Sequence, residues 1–66
     1  MSVVFVNGKE QTANGKTVED IINEMNIDKR TIAVELNEEI VSKVDYDSTT
    51  LKDGDVLEVV SFVGGG

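Results

Sequence analysis

The residues with the clearest chemical potential close the sequence: Ser61-Phe62-Val63-Gly64-Gly65-Gly66. Consecutive glycines bring no side chain to pack and lose the most entropy on ordering, so they add nothing to a fold. A frayed terminus accounts for such a run without any function, and termini often look like this. The chemical reading starts from what a glycine end can reach. Without Cβ atoms it threads a narrow channel and lies flat in the active site of another enzyme. Extended chain from Phe62 to Gly66 spans on the order of 17 Å. The group delivered is the α-carboxylate of Gly66, with Gly64 and Gly65 as the tail that enters the partner's site. Such a carboxylate has an ordinary pKa of about 3.3–3.7, so it is ionised at neutral pH and a poor electrophile. Acyl chemistry there needs activation. ATP would supply it by converting the carboxylate to an acyl-adenylate, and a sulfur nucleophile could then displace AMP to leave a thiocarboxylate.

Little else in the chain can do chemistry. There is no Cys, so neither disulfides nor thiolate metal sites are available, and any sulfur must come from outside. There is no His, which removes the commonest general base and metal ligand. Gly15-Lys16-Thr17 looks like the end of a phosphate-binding loop, but that motif needs a Gly five residues before the Gly-Lys, where this chain has Glu10. The pairs Asp45/Asp47 and Asp53/Asp55 lack the Gly and Glu of a calcium loop and read as turns. Tyr46 has no neighbouring base and is expected to pack under a loop with its hydroxyl wet. No metal site and no bound cofactor are expected, and ATP would be used by the activating partner. The chain is expected to be a carrier and not an enzyme that works alone.

Thirteen acidic and six basic residues give a net charge of −7. That opposes phosphate backbones and anionic membrane surfaces, so neither nucleic acid nor membrane is expected as a partner. Docking on basic protein surfaces suits the charge better, although solubility alone would also explain it. No apolar run approaches the roughly 20 residues of a membrane span. Met1-Ser2-Val3 has no basic region or signal pattern, so a cytoplasmic protein is expected. At 66 residues there is room for one small domain, read as residues 1–63, with 64–66 as a flexible glycine tail.

The elements that would position this tail are legible from periodicity. Val3 to Val6 is a β-rich apolar run, and Asn7-Gly8 is a hairpin signal leading to a polar return strand, Lys9 to Ala13. Asn14-Gly15 makes a second turn. Thr17 is a helix N-cap with Asp20 three residues on, a weaker form of the capping box. Val18, Ile21, Ile22 and Met25 form the apolar face of a helix of about ten residues. Asp28-Lys29-Arg30 turns the chain into a strand over Thr31 to Leu36, with Ile32, Val34 and Leu36 inward and Ala33 and Glu35 outward. Asn37-Glu38 turns into a short strand, Glu39 to Ser42. Lys43 to Lys52 reads as an irregular connection, Asp53-Gly54-Asp55 as a turn, and Val56 to Ser61 as the last strand. A single amphipathic helix needs a sheet to cover. The order predicts an α+β fold: a mixed four- to five-stranded sheet packed on one helix, the β-grasp (ubiquitin-like) arrangement.

With Leu57 and Val59 inward, Val56, Glu58, Val60 and Phe62 face outward on the last strand. Val60 and Phe62, beside Ala33 of a neighbouring strand, are then apolar residues on the wet face, leading into the tail. They are the expected docking residues, although single exposed apolar residues are ordinary.

Several blocks together resemble ThiS, the sulfur carrier family of thiamin biosynthesis. They are Asn7-Gly8, Gly15-Lys16-Thr17-Val18, the stretch Ala33 to Val41, Leu51-Lys52-Asp53-Gly54-Asp55, and Val59 to Gly66. The resemblance covers essentially the whole chain. Each block is weak alone, whereas AVELN-EEIV, LKDGD and FVGGG in this order are specific. Where the family often has Pro-Arg and then a Trp, this chain has Ser42-Lys43 and Tyr46, positions expected to touch neither the tail nor the helix. The resemblance implies that a ThiF-like enzyme adenylates Gly66, that a sulfur donor enzyme supplies the thiocarboxylate, and that thiazole synthase (ThiG) takes the sulfur. It also implies that Gly65-Gly66 is the family's diglycine end.

Rival readings share the fold. A carrier for molybdopterin or cysteine synthesis would use the same thiocarboxylate. A ubiquitin-like modifier would acylate a target lysine and leave persistent conjugates. A passive β-grasp binding module would be indifferent to loss of Gly65 and Gly66. A carrier that shuttles between enzymes is most simply a monomer.

Overall fold

The computed structural model describes residues 2–62. Five strands and one helix run in the order β1 (Val3–Val6), β2 (Lys9–Thr12), α1 (Val18–Met25), β3 (Ile32–Leu36), β4 (Glu39–Val41) and β5 (Val56–Ser61). The strands form one mixed sheet in the spatial order β2-β1-β5-β3-β4. β5 lies at its centre, parallel to β1 and antiparallel to β3. This is the expected β-grasp arrangement, with five strands. Both edges are blunted, one by the charged and polar residues of β2 and the other by the shortness of β4, and either device discourages edge-to-edge pairing.

The β1–β2 hairpin closes through Asn7 and Gly8, at φ 51° and 83°. Positive φ at both centres is the geometry whose twist matches a hairpin, and Asn-Gly adopts it with least strain. The β3–β4 turn repeats that geometry at Asn37 and Glu38, φ 52° and 72°.

The helix starts as its sequence requires. Thr17 Oγ1 accepts from the Asp20 amide at 3.2 Å, and Asp20 Oδ2 accepts from the Thr17 amide at 2.9 Å, a reciprocal capping box built with Asp. Two further amides of the first turn, those of Val18 and Glu19, donate to the carbonyls of Thr49 and Tyr46 at 3.0 Å each. The donors that a helix start leaves unpaired are thus taken up by the 43–52 connection. Asn26 ends the helix in the left-handed conformation. The helix has eight residues, shorter than its periodicity suggested.

The core lies between the helix and one sheet face: Val4 and Val6 of β1, Ile32 and Val34 of β3, Leu57 of β5, and Val18, Ile21 and Ile22 of the helix. Ala13, Tyr46 and Leu51 complete it from the connections. Met25 does not join the others; it sits in the last helical turn with 36% exposure. Lys29–Thr31 forms a 3-10 turn, so β3 begins at Ile32 and not Thr31. The 43–52 connection is less irregular than expected: it contains a 3-10 turn at Lys43–Asp45 and a bridge from Thr50 to Thr17. Tyr46, 1% exposed, packs under it. The expectation that Tyr46 avoids the helix fails, because the Tyr46 carbonyl caps its first turn.

Candidate docking face and the exit of the last strand

Strand alternation divides β5 cleanly. Leu57 is fully buried and Val59 half-buried against the core, whereas Val56, Glu58 and Val60 are exposed on the opposite face. Phe62, immediately beyond the strand, is 64% exposed and Val60 50%. The antiparallel register sets Ala33 directly across from Val60. The expected trio of Ala33, Val60 and Phe62 therefore lies together at the end of β5 from which the chain continues to Val63. The Phe62 amide still donates to the Thr31 carbonyl at 2.6 Å, so the strand is held up to its last described residue. Val63, Gly64, Gly65 and Gly66, with the expected tail and modified carboxylate, lie outside the described residues, as does the boundary between a 1–63 domain and a 64–66 tail.

The face is broader than these residues. On β1, the inward Val4 and Val6 leave Phe5 outward at 37% exposure, paired with Val56 at 41%. Val3 to Val6 is apolar throughout, so the sequence carried no sign of which face Phe5 would take. At the other end of β5, Glu35, Asn37, Glu38, Val56 and Glu58 line an open depression of about 540 Å³. Its existence depends on the β3–β5 register, which has no local signature in either strand.

Holding β5 in place falls to two asparagines that sequence reading treated only as turn residues. Asn7 Oδ1 accepts from the Val59 amide at 2.7 Å, and its Nδ2 donates to the Val59 carbonyl at 3.3 Å. The Asn7 side chain so extends the β1–β5 ladder past the end of β1. Asn37 Oδ1 accepts from the Val56 amide at 3.0 Å, while the Asn37 amide donates to the Val56 carbonyl at 2.8 Å. The Asn7 side-chain amide sets an N–H beside its C=O much as a peptide group does, whereas at Asn37 the side chain accepts and the backbone N–H donates.

The Asp53 and Asp55 carboxylates are taken up by backbone amides. Asp53 Oδ1 accepts from the Val3 amide and Asp55 Oδ2 from the Lys52 amide, both at 2.7 Å. Lys16 of the Gly-Lys-Thr segment pairs with Glu24 at 2.6 Å, and Thr17 is the helix cap.

With this geometry in view, the ThiS family model matches residues 3–66. This chain belongs to the ThiS family. It is 38% identical over 64 residues to the sulfur carrier protein ThiS of Thermus thermophilus, covering 97% of this chain and 100% of that one. The crystal structure of the thiamine biosynthesis protein ThiS from Geobacter metallireducens superposes with a TM-score of 0.75 at 35% identity, covering 97% of this chain and 99% of that chain. A thiazole synthase from Paramagnetospirillum magneticum is 45% identical over 64 residues, but the chain spans only 20% of its length. A ThiS-like segment therefore also occurs within a longer protein. Among the described residues no helix is long and apolar enough to cross a membrane.

Proposed function

We propose the chemistry by which this ThiS-family sulfur carrier of thiamin biosynthesis works. The Gly66 α-carboxylate is adenylated by a ThiF-like partner, with ATP bound and consumed by that partner and no cofactor held by the carrier. A sulfide-level sulfur nucleophile supplied by a donor enzyme attacks the acyl-adenylate carbonyl and expels AMP, leaving a thiocarboxylate, and thiazole synthase takes the sulfur from it. The cycle runs in the cytoplasm with the carrier as a monomer and co-substrate that performs no catalysis itself.

The observation that carries this reading is the unbroken family match through Gly66. That match takes in the terminal glycines as well as the strands, and a ThiS structure superposes over 97% of this chain. The fold supports it from the other side. β5 is the central strand, hydrogen-bonded on both flanks, so the tail leaves from the most firmly held element. Gly64 and Gly65 add no bulk at the partner's active site. Ala33, Val60 and Phe62 dock beside the exit, and the thiazole synthase relative containing a ThiS-like segment supports thiazole synthase as one of the proteins that dock there.

The test is intact mass after incubation with ATP, a ThiF-like enzyme and a sulfur donor. The expected gain is that of one oxygen exchanged for sulfur, absent when Gly66 is deleted. An unchanged mass alongside a known carrier that reacts would overturn the reading.

A further inference from the structure

We infer that Asn14-Gly15 is the site of spontaneous deamidation in this chain, and that the same dipeptide at Asn7-Gly8 is kept intact by its hold on β5.

Of the five asparagines, only Asn7 and Asn14 precede a glycine. The reaction favours that neighbour. The backbone nitrogen of the following residue gives its proton to solvent base and attacks the asparagine Cγ. The bond from Cγ to Nδ2 breaks, and ammonia leaves with a proton from water. The succinimide so formed adds water and opens to aspartate or isoaspartate. In sum an amide and a water become a carboxylate and an ammonium ion, with nothing oxidised or reduced. A Cβ on the attacking residue crowds this approach, and glycine has none. Asn23, Asn26 and Asn37 are followed instead by Glu24, Ile27 and Glu38.

The two turns are closely matched in every respect but one. Both read Asn-Gly-Lys in the sequence. Their φ angles are 51° and 83° at Asn7 and Gly8, and 39° and 82° at Asn14 and Gly15. All four residues are exposed, and a Cβ at either glycine would meet no atom within 4 Å. Solvent therefore reaches both. The difference is the grip on the side chain. Asn7 uses both ends of its amide on Val59, accepting at 2.7 Å and donating at 3.3 Å. Turning its Cγ toward the Gly8 nitrogen breaks both bonds and strips the Val59 amide of its acceptor. Asn14 is held by a single bond, Oδ1 accepting from the Ser2 amide at 3.2 Å, and among the described residues its Nδ2 donates to nothing. Ser2 precedes β1 near the chain terminus, where local opening costs least.

The two sites also lie at opposite ends of the sheet. Asn7 follows β1 on the side where β5 runs on to Phe62. Asn14 lies where β5 begins: Thr12 pairs with Val3, whose carbonyl accepts from the Gly54 amide. Conversion at Asn14 thus leaves the exit strand untouched, whereas conversion at Asn7 would remove the donor that faces the Val59 carbonyl.

The experiment ages the full chain in mildly alkaline buffer and follows each site by peptide mapping, with aspartyl and isoaspartyl products separated and identified by fragment mass. In the folded chain Asn14 is expected to convert about tenfold faster than Asn7, since its side chain is freed by breaking one weak bond. In denaturing urea the two sites should convert at similar rates, because only the Asn-Gly-Lys sequence then remains. Asn14→Gly, which keeps the positive φ accessible, should abolish the fast phase in the folded chain. Equal rates in the folded chain, or a faster Asn7, would overturn the inference. A preference for Asn14 that persists undiminished in urea would overturn its structural cause. A fast phase that survives Asn14→Gly would overturn the assignment of the site.

Discussion

Asp28 shows how much an exposed carboxylate can be perturbed by local geometry. Its Oδ1 accepts from the Arg30 amide at 2.9 Å, and its Oδ2 from Arg30 Nη2 at 2.8 Å. The Arg30 side-chain hydrogen bonds, followed by the backbone one, lower its pKa from 3.8 to about 2. The ionised form is favoured in the fold, so the stabilisation is complete above the unfolded value near 4 and is lost as pH falls through 2. A carbon-detected titration should place the Asp28 midpoint near 2, and Arg30→Gln should return it toward the ordinary carboxylate range. At this scale much was legible in the sequence: Thr17 as cap, Asn7-Gly8 as hairpin, Glu58 as outward-facing. The pairing of Glu35 with Glu58 was not, because each Glu is an ordinary solvent-side residue within its own strand and only the register makes them neighbours.

Among the elements, β5 has the most demanding position. It is inserted between β1 and β3 after the longest connection, so its placement depends on contacts far away in sequence. Asn7 supplies one of them through the amide clamp on Val59. Asn7→Gly keeps the φ of 51° accessible while deleting the clamp. It should cost about 1–2 kcal/mol in urea unfolding and speed hydrogen exchange at the Val59 amide. Asn7→Asp retains the acceptor for that amide and should lose less. Equal exchange in both variants would mean that β1 and β3 alone hold the strand. Sequence patterning placed β5 at the correct residues, since Leu57 and Val59 alternate with Glu58, but it carried no sign of the clamp. A turn asparagine reads the same whether its side chain points to water or to a strand.

For the whole molecule, 66 residues leave little stability to lose, roughly 3–10 kcal/mol by size. Tyr46 is among the largest fully buried side chains, and burial pushes its hydroxyl pKa upward. Tyr46→Ala should cost about 3–5 kcal/mol and leave a marginal or unfolded chain by thermal circular dichroism, whereas Tyr46→Phe keeps the packing and should melt close to wild type. The depth of Tyr46 belongs to tertiary structure: it sits in a polar stretch with no period, and it is buried because its loop folds over the helix start, where the Tyr46 and Thr49 carbonyls take the first-turn amides. The sequence by itself determined the elements, the inward residues of β3 and β5, the outward Val60 and Phe62, and the family, because these depend on alternation, caps and turn residues a few positions apart. Only the tertiary structure decided that β5 is central, that Asn7 and Asn37 hold it, that Met25 stays wet, and that Glu35 and Glu58 share one face beside the strand leading to Gly66. Those facts depend on register between segments distant in the chain, and a one-residue slip would have sent each side chain to the opposite side of the sheet.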